Sequence, residues 1–137
     1  MNNHFQLSDR TFEQQFADLS LNPELFSHEA HLRLAWIHVT RYGIDEAIEN
    51  ITGQIRAFAR HHNAQGKYHT TVTIAAVRAV YHFVLKSKSA TFQDFIKEFP
   101  QLKNEFKRLL ASHYSIDIFK STQARESFLE PDLAPFD

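Results

Sequence analysis

Apolar residues recur at helical spacing along almost the whole chain, and few residues that break helices interrupt them. Only 3 Gly and 4 Pro occur among 137 residues, whereas folds built on tight turns use both residue types freely. Phe12, Phe16 and Leu19 illustrate the pattern, because their spacing of i, i+4 and i+7 places them on one helix face. The sequence therefore predicts an all-α fold.

Capping residues and apolar stripes set the expected limits of the helices. The chain is expected to form a single helical domain, residues 1–137. Its tail from His113 to Asp137 should lie on the body, with one turn of helix between Ser121 and Phe128. The predicted helices run from Asp9 to Leu19, from after Ser27 to Gly43, from Asp45 to Asn63, from Thr70 to Leu85, from Thr91 to Pro100, and from Pro100 to Ser112.

The connections between these helices are short, so consecutive helices are expected to be antiparallel neighbours. The second and fourth helices are apolar around most of their circumference, which is typical of central positions. We therefore expect an antiparallel helical bundle of four core helices, with an extra N-terminal helix and a C-terminal tail packed on the body. In that topology the second and fourth helices begin at the same end of the bundle.

The composition excludes several classes of function. Lys and Arg total 15 against 16 for Asp and Glu, whereas proteins that bind nucleic acid through bulk charge carry a basic excess. Lys103, Lys107 and Arg108 form a modest basic patch, for which a solvated helix face is the default interpretation.

The chain has no Cys, which excludes disulfides and thiol chemistry. With no membrane-length apolar run and no secretory signal, we expect a cytoplasmic protein without nucleic-acid or membrane partners.

Histidine is frequent, with 9 residues, and three of them are expected to meet. His28 and His31 lie at i and i+3, so both rings project from one helix face. His69 immediately precedes the helix that starts at Thr70, and the topology brings it to the same end of the bundle. Three imidazoles would leave open positions on a Zn, Fe or Mn ion. The sequence therefore predicts a small-molecule site there, with a divalent transition metal as its cofactor.

Residues near these histidines complete the predicted site. In a metal-dependent hydrolase or oxygenase the metal would activate water or an oxygen species, and Arg125 would hold an anionic group. Tyr68 and Thr71 would orient the substrate or the metal ligands. The candidate catalytic residues are His69, Tyr68 and Arg125, the candidate ligand-binding residues are His28, His31, His69, Thr71 and Arg125, and the candidate metal ligands are His28, His31 and His69.

Two other interpretations stay open. The same histidines could recognise a ligand, or respond to pH, in a binding or sensor module without chemistry, since free histidine titrates at about pH 6.5. A helical interaction protein would instead expose an apolar patch on its Phe-rich helices and form a homodimer. The expected partner is thus a small-molecule ligand, and the protein is expected to be a monomer or a homodimer.

Three motifs follow one another in the chain: His28-x-x-His31-Leu32, Tyr68-His69-x-Thr71-x-Thr73, and Ser121-x-x-Ala124-Arg125 followed by Phe128 and Glu130-Pro131-Asp132-Leu133. Together they resemble a group of small, uncharacterised bacterial all-helical proteins, and the likeness runs from about Phe26 to Pro135. Members of the group tend to have Glu where this chain has Thr70, and often Arg where it has Glu29. The resemblance implies that the tail belongs to the domain and folds over the histidines, where Arg125 could pair with Asp132.

Overall fold

The computed structural model describes residues 3–136, and all the regular secondary structure in this part of the chain is helical, which confirms the predicted all-α class. Residues 3–136 form no strand, and none of their helices combines the length and apolar character needed to cross a membrane. Short 3-10 turns lie at His4–Gln6, Pro23–Leu25, Gln65–Lys67 and Ile118–Lys120. The α-helices are α1 (Asp9–Ala17), α2 (His28–Tyr42), α3 (Ile44–His61), α4 (Thr70–Val84), α5 (Phe92–Glu98), α6 (Gln101–Asn104), α7 (Phe106–Ala111) and α8 (Thr122–Glu126).

Side chains at the helix starts satisfy backbone N–H groups that have no partner within the helix. Ser8, Ser27 and Thr91 each accept a hydrogen bond from the amide three residues later. Gly43 ends α2 with a φ of 83°, a backbone conformation that costs glycine little and other residues more. α2 therefore begins and ends where the sequence predicts.

The centre of the molecule is formed by α2 and α4. α2 packs against α3 and α4, which also contact each other, while α1, α5 and α6 make smaller contacts with α2. Between Ala30 and Val39 every residue of α2 except His31 is buried. α8 and the 3-10 turn Ile118–Lys120 pack on α4. The two helices that the sequence predicts as central thus carry the core.

The helix predicted between Pro100 and Ser112 is broken in the structure. Glu105 adopts φ −134° and ψ 34°, which lies outside the α-helical region. A continuous helix would place Leu102 and Phe106 on one face, since they are four residues apart. The break separates them: Leu102 is fully buried, while the Phe106 ring lies 4.8 Å from the ring of His28, measured between centroids. The segment between α4 and the tail therefore forms three short helices, α5 to α7.

A buried arginine fixes the segment before α1. Arg33 is 4% exposed, and its guanidinium donates to the backbone carbonyl of His4 and to the carboxylate of Asp9 at 2.8 Å. The His4 ring bonds to Glu29 at 2.9 Å, and Glu29 also accepts a hydrogen bond from Lys103 at 3.0 Å. This network satisfies the buried charge and joins the N-terminal segment to α2 and α6.

The C-terminal tail packs on the body, as the sequence predicts. The hydroxyl of Thr71, on α4, donates to the carbonyl of Ser127 at 2.9 Å and accepts from the amide of Leu129 at 3.1 Å. The Tyr114 hydroxyl donates to the Leu129 carbonyl at 2.7 Å. Near the end of the chain, Phe136 is buried and only 5% exposed.

Candidate functional site

A cavity opens at the end of the bundle where α2 and α4 begin. We call this end of the bundle the histidine end. The cavity has a volume of about 790 Å³, inside the range of about 300–1,000 Å³ that small-molecule sites occupy. His28, His31, Tyr68 and His69 all line it. The structure therefore brings the three predicted histidines and the predicted tyrosine to one cavity.

Two walls of the cavity are helix faces with residues at i, i+3, i+4 and i+7 spacing. They consist of His28, His31 and Leu32 on α2, and of His69, Val72, Thr73 and Ala76 running into α4. Ile55 of α3 adds a further apolar side chain. The remaining lining comes from the segment before His69, from α6 and α7, and from the 3-10 turn near residue 119, and comprises Lys67, Lys103, Asn104, Glu105, Phe106, Lys107, Arg108 and Phe119.

His69 has both ring nitrogens in hydrogen bonds within the protein. Its Nδ1 accepts from the amide N–H of Val72 at 3.1 Å, so the side chain caps α4. Its Nε2 lies 2.7 Å from the carbonyl oxygen of Ile118. Because a carbonyl only accepts, the proton is on Nε2 and the lone pair of Nδ1 receives the amide proton. The ring is thus neutral in this geometry, and both nitrogens are used.

His28 holds α6 against α2. Its Nε2 lies 3.1 Å from the carbonyl oxygen of Leu102, which places a proton on Nε2, and in the neutral ring Nδ1 is then an acceptor. The ring also contacts Phe106 of α7. His28 therefore positions one wall of the cavity as well as lining it.

His31 differs from the other two because burial determines its charge state. Its Nδ1 donates to the carbonyl of Ser27 at 3.0 Å, and its ring lies 3.8 Å from the ring of Phe26 between centroids. Burial lowers the pKa of His31 to about 4, although the bond to Ser27 works in the opposite direction. Near neutral pH the ring is therefore uncharged, and its Nε2, which has no partner within residues 3–136, can accept a hydrogen bond.

The three histidines share the cavity without forming a metal-ligand set. Within residues 3–136, no group of three or more His, Cys, Asp or Glu side chains is arranged to hold a metal ion. His69 gives the physical reason, because a metal at either ring nitrogen would replace an existing hydrogen bond. In this geometry His28 and His31 offer one acceptor nitrogen each.

Tyr68 lies between the 3-10 turn Gln65–Lys67 and α4, and it lines the cavity beside His69. The guanidinium of Arg56, on α3, lies 5.5 Å from the centroid of its ring, a distance that permits a cation–π interaction. Tyr68 is therefore held by α3 and can present its ring to a bound molecule.

The structure places Thr71 and Arg125 outside the cavity lining. Thr71 comes two residues after His69, which corresponds to about 200° around a helix, so it points to the tail instead of the cavity. Arg125 donates to the backbone carbonyl of Gly66. The expected pairing of Arg125 with Asp132 is replaced by another contact, because Asp132 accepts from the amide of Ser115 at 2.9 Å. Both predicted ligand-binding residues thus join the tail to the body.

Several lining residues were not predicted as part of a site. Lys103, Lys107 and Arg108 are exposed, as expected for a solvated face, and they also line the cavity together with Phe106. The break at Glu105 decides this arrangement, and neither Gly nor Pro marks it in the sequence between residues 101 and 111. Periodicity alone therefore could not place these side chains.

Comparison of the chain with models of protein families, with curated proteins and with solved structures gave no significant match in any of the three searches. The resemblance to small bacterial helical proteins stays a hypothesis based on the motifs.

Proposed function

We propose that this protein is a binding or sensor module that holds a small molecule with an apolar body in the cavity at the histidine end. The cavity carries the proposal, because apolar side chains from α2, α3, α4 and α7 line it together with a few polar groups. This combination is typical of sites for small organic ligands. Leu32, Ile55, Val72 and Phe106 would contact the apolar body.

The hydrogen bonds of the histidines support binding without chemistry. A general base works best when its pKa lies near the operating pH, whereas burial lowers the pKa of His31 to about 4. His69 has no free nitrogen for a proton transfer, since both are bonded to backbone groups. The neutral Nε2 of His31 suits a different task, which is to accept a hydrogen bond from an O–H or N–H group of the ligand.

The metal-dependent hydrolase or oxygenase expected from the sequence stays a prediction. It would require the His69 ring to give up its bond to Val72 or to Ile118. The homodimeric interaction protein has less support, because Phe12, Phe16 and Phe95 are fully buried in the core. The cytoplasmic location and the bacterial source also stay proposals.

A neutral apolar fluorophore, N-phenyl-1-naphthylamine, tests the proposed function. We expect its fluorescence emission to rise when it binds to the wild-type protein. In Ala76→Trp, where the larger side chain fills the cavity, the emission should not rise. Ala90→Trp, at an exposed position outside the cavity lining, is the matched control and should bind like the wild type. Absence of binding to the wild type, or equal binding by both variants, would contradict the proposal. Circular dichroism checks that each variant is folded.

A further inference from the structure

Positive side chains surround the mouth of the cavity, although the chain as a whole has a net charge of −1. Lys67 precedes α4, Lys103 belongs to α6, and Lys107 and Arg108 belong to α7. All four are exposed and line the cavity, whose only acidic lining residue among residues 3–136 is Glu105. Because these cations come from three separate elements, the fold has gathered them at one place.

Two of the four cations are neutralised by carboxylates. Lys103 Nζ lies 3.0 Å from Glu29 Oε2, and Arg108 Nη1 lies 3.0 Å from Glu105 Oε1. Within residues 3–136, Lys67 and Lys107 have no carboxylate within ion-pair distance, and Lys107 Nζ lies 5.3 Å from the centroid of the Phe119 ring. Lys67 and Lys107 therefore leave uncompensated positive charge at the cavity mouth.

The less exposed part of the cavity lining includes apolar side chains that add no charge. Leu32, Ile55 and Val72 line the cavity from three different helices. The His69 ring is neutral, because its Nδ1 lone pair accepts the Val72 amide. The cavity therefore offers an apolar interior with a basic mouth, a combination that fits a molecule with an apolar body and one anionic group.

We propose that the ligand of this cavity is an organic anion, with its apolar body among Leu32, Ile55 and Val72 and its carboxylate or phosphate group beside Lys67 and Lys107. This inference rests on the proposed binding function and adds the chemical class of the ligand. Lysine suits the role, because its ammonium group recognises an anion as a point charge without fixed geometry.

A pair of matched fluorophores separates the anionic preference from binding itself. 1-Anilinonaphthalene-8-sulfonate has the same aromatic body as N-phenyl-1-naphthylamine and adds one negative charge. We expect the wild type to bind the anionic probe on the order of tenfold more tightly, because two exposed cations each contribute a factor of roughly two to five. Raising NaCl from about 50 mM to about 500 mM should weaken the anionic probe alone.

Charge-removal variants test which cations are responsible. Lys67→Gln and Lys107→Gln should each weaken the anionic probe roughly two- to fivefold and should affect binding of the neutral probe less than binding of the anionic probe. Lys86→Gln removes the same charge at an exposed position after α4, outside the cavity lining, and should change neither probe. Displacement by octanoate, octyl phosphate and octanol then identifies the head group: both anions should compete better than the alcohol, and their order distinguishes carboxylate from phosphate.

The outcomes separate this inference from the proposed function. If the neutral probe binds in the cavity and the anionic probe binds no better, the anionic ligand class is wrong and the binding function stands. If neither probe binds, both proposals fail. If Lys86→Gln weakens binding of the anionic probe as much as Lys67→Gln and Lys107→Gln do, the preference for the anion comes from the overall charge of the protein. That result would overturn the role of Lys67 and Lys107. Binding of the anionic probe that persists in Ala76→Trp would place it outside the cavity, which also overturns the inference.

Discussion

The imidazole of His69 joins the first turn of α4 to Ile118, which lies 49 residues later in the chain. Its Nε2–H donates to the Ile118 carbonyl at 2.7 Å, while its Nδ1 accepts from the amide of Val72. Ile118 begins the 3-10 turn that carries Phe119 into the cavity lining. His69 is therefore a positioning residue that caps a helix and holds one wall of the cavity.

Replacing His69 should separate these two tasks. We expect His69→Ala to lower the free energy of unfolding by about 2 kcal/mol, through loss of the helix cap and of the bond to Ile118. His69→Asn should cost about half as much, because Asn caps helices well but is too short to reach Ile118. Urea denaturation of the three proteins measures both differences.

His61→Ala is the matched control for these variants. His61 ends α3 on an exposed surface, and its ring contact is with the neighbouring His62. We expect a change in unfolding free energy of less than about 0.5 kcal/mol, as for most surface substitutions. A loss in His69→Ala no larger than in His61→Ala would show that the two bonds of His69 contribute nothing to stability.

The buried hydroxyl of Thr71 attaches the tail to α4. Thr71 is fully buried, with hydrogen bonds to Ser127 and Leu129. Thr71→Val keeps the shape but leaves the Ser127 carbonyl and the Leu129 amide without their partner, so we expect a loss of about 1–3 kcal/mol. Hydrogen exchange should also become faster at the Leu129 amide, which measures detachment of the tail directly.

The adjacent threonine provides the control for Thr71→Val. Thr70 makes a long contact of 3.5 Å with the Glu126 carbonyl, so Thr70→Val should cost much less. Equal losses in the two variants would indicate a general effect of removing a hydroxyl at the start of α4. Fast exchange of the Leu129 amide in the wild type itself would contradict the proposed attachment.

Much of the fold could be predicted from local sequence because the signals are local. Ser27 and Gly43 mark the start and end of α2, and the structure uses both. The meeting of His28, His31 and His69 could also be predicted from local signals, because short connections make α2 and α4 start at the same end of the bundle. Helix periodicity could have excluded Thr71 from the cavity, because it lies two residues after His69 and so faces away.

The basic mouth of the cavity could not be predicted in this way. It depends on the break at Glu105, and no residue between 101 and 111 strongly favours a non-helical backbone. The break places Leu102 in the core and Phe106 against His28, so tertiary packing decides it and local propensity does not. The hydrogen bond between Arg125 and Gly66 could not be predicted from local sequence either, because the two residues are 59 positions apart in the chain.

The lowered pKa of His31 predicts a loss of stability in mild acid. The unfolded chain protonates this residue at its ordinary pKa of 6.5, whereas the folded protein does so at about 4, so protons favour unfolding. The contribution of His31 is complete above pH 6.5 and declines as the pH falls toward 4. We expect the wild type to lose up to about 3 kcal/mol relative to His31→Gln across this range, and less where water reaches the ring.

Comparison with His31→Gln isolates this residue from the other titrating groups. Burial also lowers the pKa values of His4 and His38, and both residues remain in the variant. Urea denaturation of the two proteins at several pH values between about 7 and about 4 therefore gives the His31 contribution as a difference. Parallel stability curves over this range would show that His31 titrates alike in the folded and unfolded states.

Metal content distinguishes the binding module from the metal-dependent enzyme expected from the sequence. We expect untagged protein, loaded anaerobically with Fe(II), Mn(II) or Zn(II) and then desalted, to retain far less than one equivalent by elemental analysis. The reason is that a metal on His69 must displace either the Ile118 carbonyl or the Val72 amide, while His28 and His31 offer one acceptor nitrogen each. Stoichiometric metal that is lost in His69→Ala and kept in His61→Ala would overturn this expectation. It would also show that the His69 ring gives up one of its two backbone hydrogen bonds when the metal binds.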